Sequence, residues 1–286
     1  MRYESPDTLE AAAKLLAAET GDARVLAGGT DLLVQMRSDV LNPMLIVDIK
    51  RIVETRSVKD EAGGIRIGAA VTGAELKEHP TLKKIWPGLV EAANLIGSTQ
   101  VQGRASLGGN LCNGSPAADS VPALIAAGAI ATVVGPNGRR DIKVEDVMLA
   151  PRKLALTKGE IIASFLLPKR PAHSGDAYLR FIPRTEMDIA VVGCGTSLTL
   201  DANGTCTAAR VSLGAVAARP LLVLDAGAAL VGSKVDAAAL EKMAAAARAA
   251  CKPIDDKRGT IQFRIDVAGV LAKRTALIAL ERARKS

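Results

Sequence analysis

Arg24-Val-Leu-Ala-Gly-Gly-Thr-Asp-Leu-Leu33 joins a short apolar run to two adjacent glycines and a small polar residue, and Leu32, Met36 and Val40 then recur at helical spacing. That order predicts a buried strand over Arg24–Ala27, a glycine turn and a helix. Upstream, Asp7-Thr-Leu-Glu10 has the form of a capping box, and Leu9, Ala12, Ala13 and Leu16 make a helical stripe. Downstream, Met44–Ile49 is a compact apolar strand. Helix, strand, glycine turn, helix, strand is a small α/β unit whose strands can be parallel.

A second glycine pair lies in Ser106-Leu-Gly-Gly-Asn-Leu-Cys-Asn-Gly-Ser115. Around it, Ile65, Ile67 and Ala69 alternate as in a half-buried strand, Thr72–Glu75 caps a short helix, and Trp86–Ile96 is an apolar helix. Gly97–Ser106 reads as a polar loop and Asp119–Ala127 as a helix. Ala129–Val134 and Glu160–Leu167 read as strands, with Pro136-Asn-Gly138 as a tight turn. Pro168–Gly175 is basic and poor in apolar residues, so a surface connection is expected there. Beyond it, Asp188–Leu200 and Cys206–Val216 read as a hairpin turning at Asp201–Gly204, and helices are expected over about Asp236–Ala250 and Asp266–Arg284.

Glycine loses more backbone entropy on folding than any other residue, so paired glycines suggest left-handed dihedrals or close approach of another group. After a strand, the N–H groups of Ala27, Gly28, Gly29 and Thr30 can converge on an anion, and Thr30 adds a hydroxyl. Ser106, Gly108, Gly109 and Asn110 offer a second such cradle, and Ser115 and Asp119 follow at the head of a helix. Either loop alone is equally a plain glycine-rich turn. Together they can hold the two halves of a pyrophosphate, with Asp119 better placed against ribose hydroxyls than against phosphate. Neither standard nucleotide fingerprint is present: there is no Walker loop, and Gly193-Cys-Gly195 lacks the third glycine of a dinucleotide motif.

Composition narrows the chemistry. Of 286 residues, 49% are hydrophobic and 23% charged, enough for two or three compact units. Only Tyr3, Trp86, Phe165, Tyr178, Phe181 and Phe263 are aromatic, too few for a stacking platform, so no nucleic acid is expected despite the net charge of +7. Cys112, Cys194, Cys206 and Cys251 are far apart, and His79 and His173 stand alone, so no metal or iron-sulfur site is expected within the chain. With no export signal at the amino terminus and no apolar run of bilayer length, a soluble cytoplasmic protein with no transmembrane segment is expected.

LAGGTDLL (26–33), SLGGNLCNGSPAADSVPAL (106–124), RTEMDIAVVGCGTSL (184–198) and LGAVAARPLLV (213–223) resemble four landmarks of the FAD-binding medium subunit of the molybdenum hydroxylases, the xanthine dehydrogenase and carbon monoxide dehydrogenase family. The resemblance runs the length of the chain. It implies an α+β fold: a two-lobed FAD-binding domain, with a small α/β lobe over 1–55 and a mixed or antiparallel lobe over 56–175, then a smaller α/β C-terminal domain over 176–286. It implies that Ala27, Gly28, Gly29, Thr30 and Asp31 cradle the FAD pyrophosphate. Ser106, Gly108, Gly109 and Asn110 would line FAD, with Cys112, Ser115 and Asp119 nearby. Ile162, or Ile161 one register away, would pack on the isoalloxazine, and Arg180, where relatives often carry lysine, would make a polar contact near the ring.

The same resemblance implies noncovalent FAD, with the molybdenum cofactor and 2Fe-2S clusters confined to a large and a small partner subunit in a dimer of heterotrimers. The chain would pass electrons from those clusters to an external acceptor and supply no catalytic side chain, since the flavin itself carries the redox chemistry. Two other functions fit the composition: a noncatalytic assembly subunit, and a stand-alone NAD(P)H-linked flavin reductase.

Overall fold

A computed structural model describes residues Met1–Ser286. The first lobe contains β1 (Arg2–Glu4), α1 (Leu9–Ala18), β2 (Ala23–Leu26), α2 (Leu32–Arg37), β3 (Leu45–Asp48) and α3 (Val53–Arg56). Its sheet has the order β1-β3-β2 and is parallel throughout, the pairing that the strand–glycine–helix pattern allows. Thr8 rather than Asp7 caps α1, its hydroxyl accepting from the Ala11 N–H at 3.2 Å.

The second lobe follows as β4 (Val58–Glu61), β5 (Gly64–Gly68), α4 (Gly73–Glu78), α5 (Leu82–Ile85), α6 (Pro87–Ala93), α7 (Thr99–Gln102), α8 (Leu107–Cys112), α9 (Ser120–Ala127), β6 (Ile130–Gly135), β7 (Gly138–Lys143), α10 (Val144–Val147), β8 (Met148–Ala150), β9 (Lys153–Leu154) and β10 (Ile161–Pro168). Five strands form an antiparallel sheet of order β4-β5-β10-β6-β7. The Thr72 capping box forms with both reciprocal bonds. The expected polar loop over 97–106 holds one helical turn, α7, and the second glycine pair lies inside α8 rather than in a loop.

β10 is the strand that positions the cleft. Neighbouring side chains of a strand point to opposite faces. Ile161 and Ala163 therefore join the first-lobe core around Leu9, Leu45 and Val47, whereas Ile162 and Phe165 join the second-lobe core around Ile67, Leu107 and Leu124. A register shift between Ile162 and Ser164 accommodates the change of face.

The C-terminal domain comprises β11 (Ser174–Phe181), β12 (Val192–Leu200), β13 (Cys206–Gly214), β14 (Leu221–Leu222), α11 (Leu224–Ala228), α12 (Ala237–Ala250) and α13 (Ile261–Lys285). Its antiparallel sheet has the order β11-β12-β13-β14, and its core includes Val192, Leu213, Met243 and Ala272. β11 begins two residues ahead of position 176, with Ser174 and Gly175 already paired to β12. Pro168–Gly175 is thus only partly a surface connection. α13 starts five residues before the expected Asp266, where Thr260 caps it by accepting from the Phe263 N–H. No helix is long and apolar enough to cross a membrane.

Candidate functional site

A cleft of about 510 Å³ opens between the two lobes, lined from one side by the β2–α2 turn and from the other by α8 and the start of β10. Both glycine pairs lie on it. Twelve of the fifteen residues expected at the site line this one cleft: Ala27, Gly28, Gly29, Thr30, Asp31, Ser106, Gly108, Gly109, Asn110, Cys112, Ile161 and Ile162. Ser115, Asp119 and Arg180 lie outside it.

The two glycine motifs are not equivalent. In the β2–α2 turn, Gly29 is left-handed at φ +79°, and the backbone N–H groups of Gly28, Gly29, Thr30 and Asp31 donate to no acceptor within the chain. Four free amides in succession make a cradle for an anion. In the second motif the amides are already satisfied: Gly108 N–H donates to Ala69 O at 3.0 Å, Gly109 N–H to the Ser106 hydroxyl at 3.2 Å, and Asn110 N–H to Ser106 O at 2.9 Å. The expected second anion nest is therefore the capped first turn of α8.

Packing explains two of these glycines and leaves one unexplained. A Cβ on Gly28 would stand 1.9 Å from Arg104 O, so this glycine lets the two lobes touch. A Cβ on Gly108 would stand 2.6 Å from Ala69 O, so this one lets α8 lie on the end of β5. A Cβ on Gly109 would meet only the Ser106 hydroxyl, at 3.3 Å. Glycine inside a helix costs about 1 kcal/mol relative to alanine. The contact with the Ser106 hydroxyl asks far less for glycine than the backbone collisions at Gly28 and Gly108, and space for a ligand is a second physical reason for it.

Charge and polarity around the cleft are set by neighbours. Asn110 uses its side-chain oxygen to accept from Ser120 N–H and hydroxyl, at 3.1 and 2.7 Å, which ties α8 to the head of α9 and leaves its amide donors free. Gln35 on α2 donates to Asn113 at 3.0 Å, linking the lobes beside the cleft. Asp31 is reached by water from the cleft but lies within its concave wall, and that burial raises its carboxyl above the usual range. Cys112 is likewise accessible from the cleft, yet the surrounding protein pushes its thiol up to about 12, so it stays protonated at neutral pH. Arg152, at φ +59° and anchored by its N–H to Gly114 O at 2.8 Å, lines the cleft with no carboxylate partner. Gln35, Asn113, Arg152 and Glu160 were not among the expected site residues; they come from α2, from the segment after α8, and from the ends of the β8–β9 and β9–β10 connections, where no local pattern marks them.

Glu160 is the cleft residue with the firmest ion pair. Arg140 holds it in two-pronged fashion, at 2.6 and 2.8 Å, and with the Thr157 N–H at 2.7 Å brings its carboxyl down to about 2. A folded-state value below the unfolded one stabilises above about pH 4.3, and the contribution is lost as pH falls through about 2. Because Arg140 is partly solvated, Glu160→Gln is expected to cost about 1–2 kcal/mol at pH 7. Urea denaturation repeated at pH 7, 4 and 2.5 should show that difference shrinking stepwise; a constant difference would refute it.

The three residues outside the cleft have other partners. Ser115 accepts from Ala117 N–H at 3.2 Å, shaping the turn before α9. Asp119 accepts from Arg180 at 2.6 Å and from the Tyr178 hydroxyl at 3.0 Å, so the head of α9 is clasped to β11 across the junction of the two domains. Both members of the ion pair are buried, and burial outweighs Arg180 in pushing the Asp119 carboxyl up to about 6. Arg180 Nε has no partner.

Residues 1–170 match the family described as the FAD binding domain in molybdopterin dehydrogenase, and residues 177–279 match the CO dehydrogenase flavoprotein C-terminal domain. The chain belongs to this family. Among curated relatives, it is 32% identical to the carbon monoxide dehydrogenase medium chain of Afipia carboxidovorans, over 99% of this chain and 96% of that one. It is 31% identical to the xanthine dehydrogenase FAD-binding subunit of Escherichia coli O157:H7, over 95% and 93% of the two chains. A chain of reconstituted CO dehydrogenase from Oligotropha carboxidovorans superposes with a TM-score of 0.94 at 31% identity, covering 99% of this chain and 98% of that one. This molybdopterin-dehydrogenase flavoprotein is thus an FAD-binding oxidoreductase subunit with the α+β architecture expected of it. Its family domains change over between residues 170 and 177, around the start of β11.

Proposed function

We propose that the chain holds FAD noncovalently and passes electrons from iron-sulfur clusters of a small partner subunit to an external acceptor. On this reading a large subunit bears the molybdenum cofactor, and the assembly is a cytoplasmic dimer of heterotrimers. The observation that carries the FAD site is the pairing of four free amides over Gly28–Asp31 with the open face of Gly109 in one cleft. Free amides suit a pyrophosphate, and a bare backbone opposite lets it lie close. When bound, FAD supplies the electron storage: it takes two electrons and gives them up singly.

The chain's own part is binding and orientation. Thr30 and the Asn110 amide can donate to phosphate or ribose oxygens. Ile161 and Ile162 edge the cleft at the start of β10 with their side chains in opposite cores, and resemblance gives Ile162 the contact with the isoalloxazine. Arg152 supplies positive charge near the anion that the glycine motifs themselves lack. Ser120, bonded to Asn110, joins the cleft wall to the buried Asp119–Arg180 clasp, so the clasp positions the head of α9 behind the cleft without lining it. The high pKa of Cys112 disfavours thiolate attack on the flavin, which supports noncovalent attachment.

Cys112 also supplies a test, because it is the single exposed thiol. Full-length protein, alone or in the complex with which it copurifies, is treated with excess maleimide at about pH 8.5, where the raised thiol still supplies thiolate for slow alkylation, with and without FAD. At FAD about 100-fold above its Kd, alkylation of Cys112 should slow by about 100-fold, and the bound cofactor should show the two-band flavin absorption. Unchanged alkylation together with a colourless, folded chain that still joins its partners would overturn the electron-transfer role in favour of assembly.

A further inference from the structure

A second cavity, of about 670 Å³, lies at the opposite end of β10 from the FAD cleft, on the order of 20 Å away along an eight-residue strand. It is formed where the FAD-binding domain meets the carboxyl end of α13. Arg170 and Trp86 both line it, the guanidinium stacked 4.4 Å from the centre of the indole ring.

Arg170 is nine-tenths buried and uses a single nitrogen. Its Nη1 donates to Ile85 O and to Asp176 Oδ1, the latter at 2.9 Å, while Nε and Nη2 have no acceptor. Nε and Nη2 form the edge of a guanidinium that matches the two oxygens of a carboxylate or phosphate. Trp86 Nε1 is a third buried donor without an acceptor. Buried donors are almost always satisfied, so three orphans on two stacked side chains indicate a missing acceptor. Lys84 and Lys169 line the same cavity and pair with no carboxylate, whereas Arg282 and Lys285 already hold Glu91 and Glu281. Of the side-chain acids at the cavity, Glu61 is held by Arg66, leaving Asp60, and the α-carboxylate of Ser286 is also at its rim.

We propose that this cavity binds a small molecule through a carboxylate or phosphate group, received by the free edge of Arg170 with Lys84 and Lys169 adding charge. A slight outward turn of the guanidinium brings that edge to the ligand. Because the walls come from both domains, the occupant bridges them.

Trp86 is the only tryptophan of the chain, so its emission reports on this cavity directly. Inorganic phosphate and malonate are titrated separately into the full-length protein, with ionic strength held constant by chloride. A saturable change with phosphate alone assigns a phosphorylated ligand, with malonate alone an organic acid, and with both the shared oxyanion. Lys84→Gln/Lys169→Gln should weaken the response at least tenfold without disturbing the core. Arg170→Lys should do the same, since lysine keeps the charge beside Asp176 but not the two-donor edge. No saturable change with either probe, or unaltered affinity in the double lysine variant, overturns the proposal. The FAD-binding reading is unaffected by either outcome, because Trp86 does not line the FAD cleft.

Discussion

Gly109→Val is expected to yield a folded protein that has lost FAD. Its Cβ would meet the Ser106 hydroxyl at 3.3 Å and no backbone atom, so the added bulk is directed at the cleft that Gly109 lines. Filling the space over the bare backbone should weaken FAD by at least ~100-fold, about 2.7 kcal/mol, at little cost to the fold. Gly109→Ala sharpens the contrast: the helix-propensity gain of up to about 1 kcal/mol inside α8 is set against the tight Ser106 contact, so stability should change by no more than about 1 kcal/mol while FAD still weakens. Gly28→Ala should do the reverse of such a separation, because its Cβ would collide with the Arg104 carbonyl and force the lobes apart. Stability and FAD should then fall together, the former by about 3 kcal/mol or more. Thermal melts of the cofactor-free proteins, paired with flavin-fluorescence titration, read both quantities. If Gly109→Val retains wild-type FAD affinity, the cleft is not the cofactor site.

Arg180→Met should produce the largest loss of stability. It leaves Asp119 buried without a counter-charge, a defect that costs about 3–5 kcal/mol in comparable buried pairs. The loss should depend on pH. Burial already raises the Asp119 carboxyl to about 6 in the intact clasp, above its unfolded value, so stability linked to this proton is fully present below about pH 4 and is lost as pH rises through about 6. Removing Arg180 raises the carboxyl further. The gap between Arg180→Met and wild type should therefore be small near pH 4.5 and widen through pH 8. Adding Asp119→Asn should restore most of the stability and flatten the pH dependence, as the buried charge is gone. Urea unfolding across that range decides it: a gap of constant size means that the charge on Asp119 is not what the arginine compensates.

Much of the architecture could be read locally, and the failures have physical causes. The parallel first lobe follows from an apolar strand, a glycine turn and a helix in fixed order. β1, β4 and β7 escaped because Arg2–Glu4, Val58–Glu61 and Gly138–Lys143 are polar strands at sheet edges, stabilised by ladders to β3, β5 and β6 rather than by an alternating apolar face. Twelve of the residues that line the cleft were legible, but the physical reasons for them were not. Gly28 and Gly108 owe their missing side chains to Arg104 and Ala69, contacts that no periodicity encodes. Asp119 reads as a ligand residue from its place at a helix head, yet its partner Arg180 is 61 residues away, and only the folded chain brings them to 2.6 Å. Arg152 is likewise set beside the cleft by a left-handed turn that has no glycine to announce it.

Because alternate residues of β10 complete the interiors on either side, the first 55 residues lack the hydrophobic closure they would need alone: Ala70, Val134, Ile161 and Ala163 are donated from beyond them. The two halves that embrace the cofactor are thus one cooperative unit and should denature in a single step. A fragment ending near residue 55 should be a substrate for proteolysis rather than a module that evolution or an engineer could transplant.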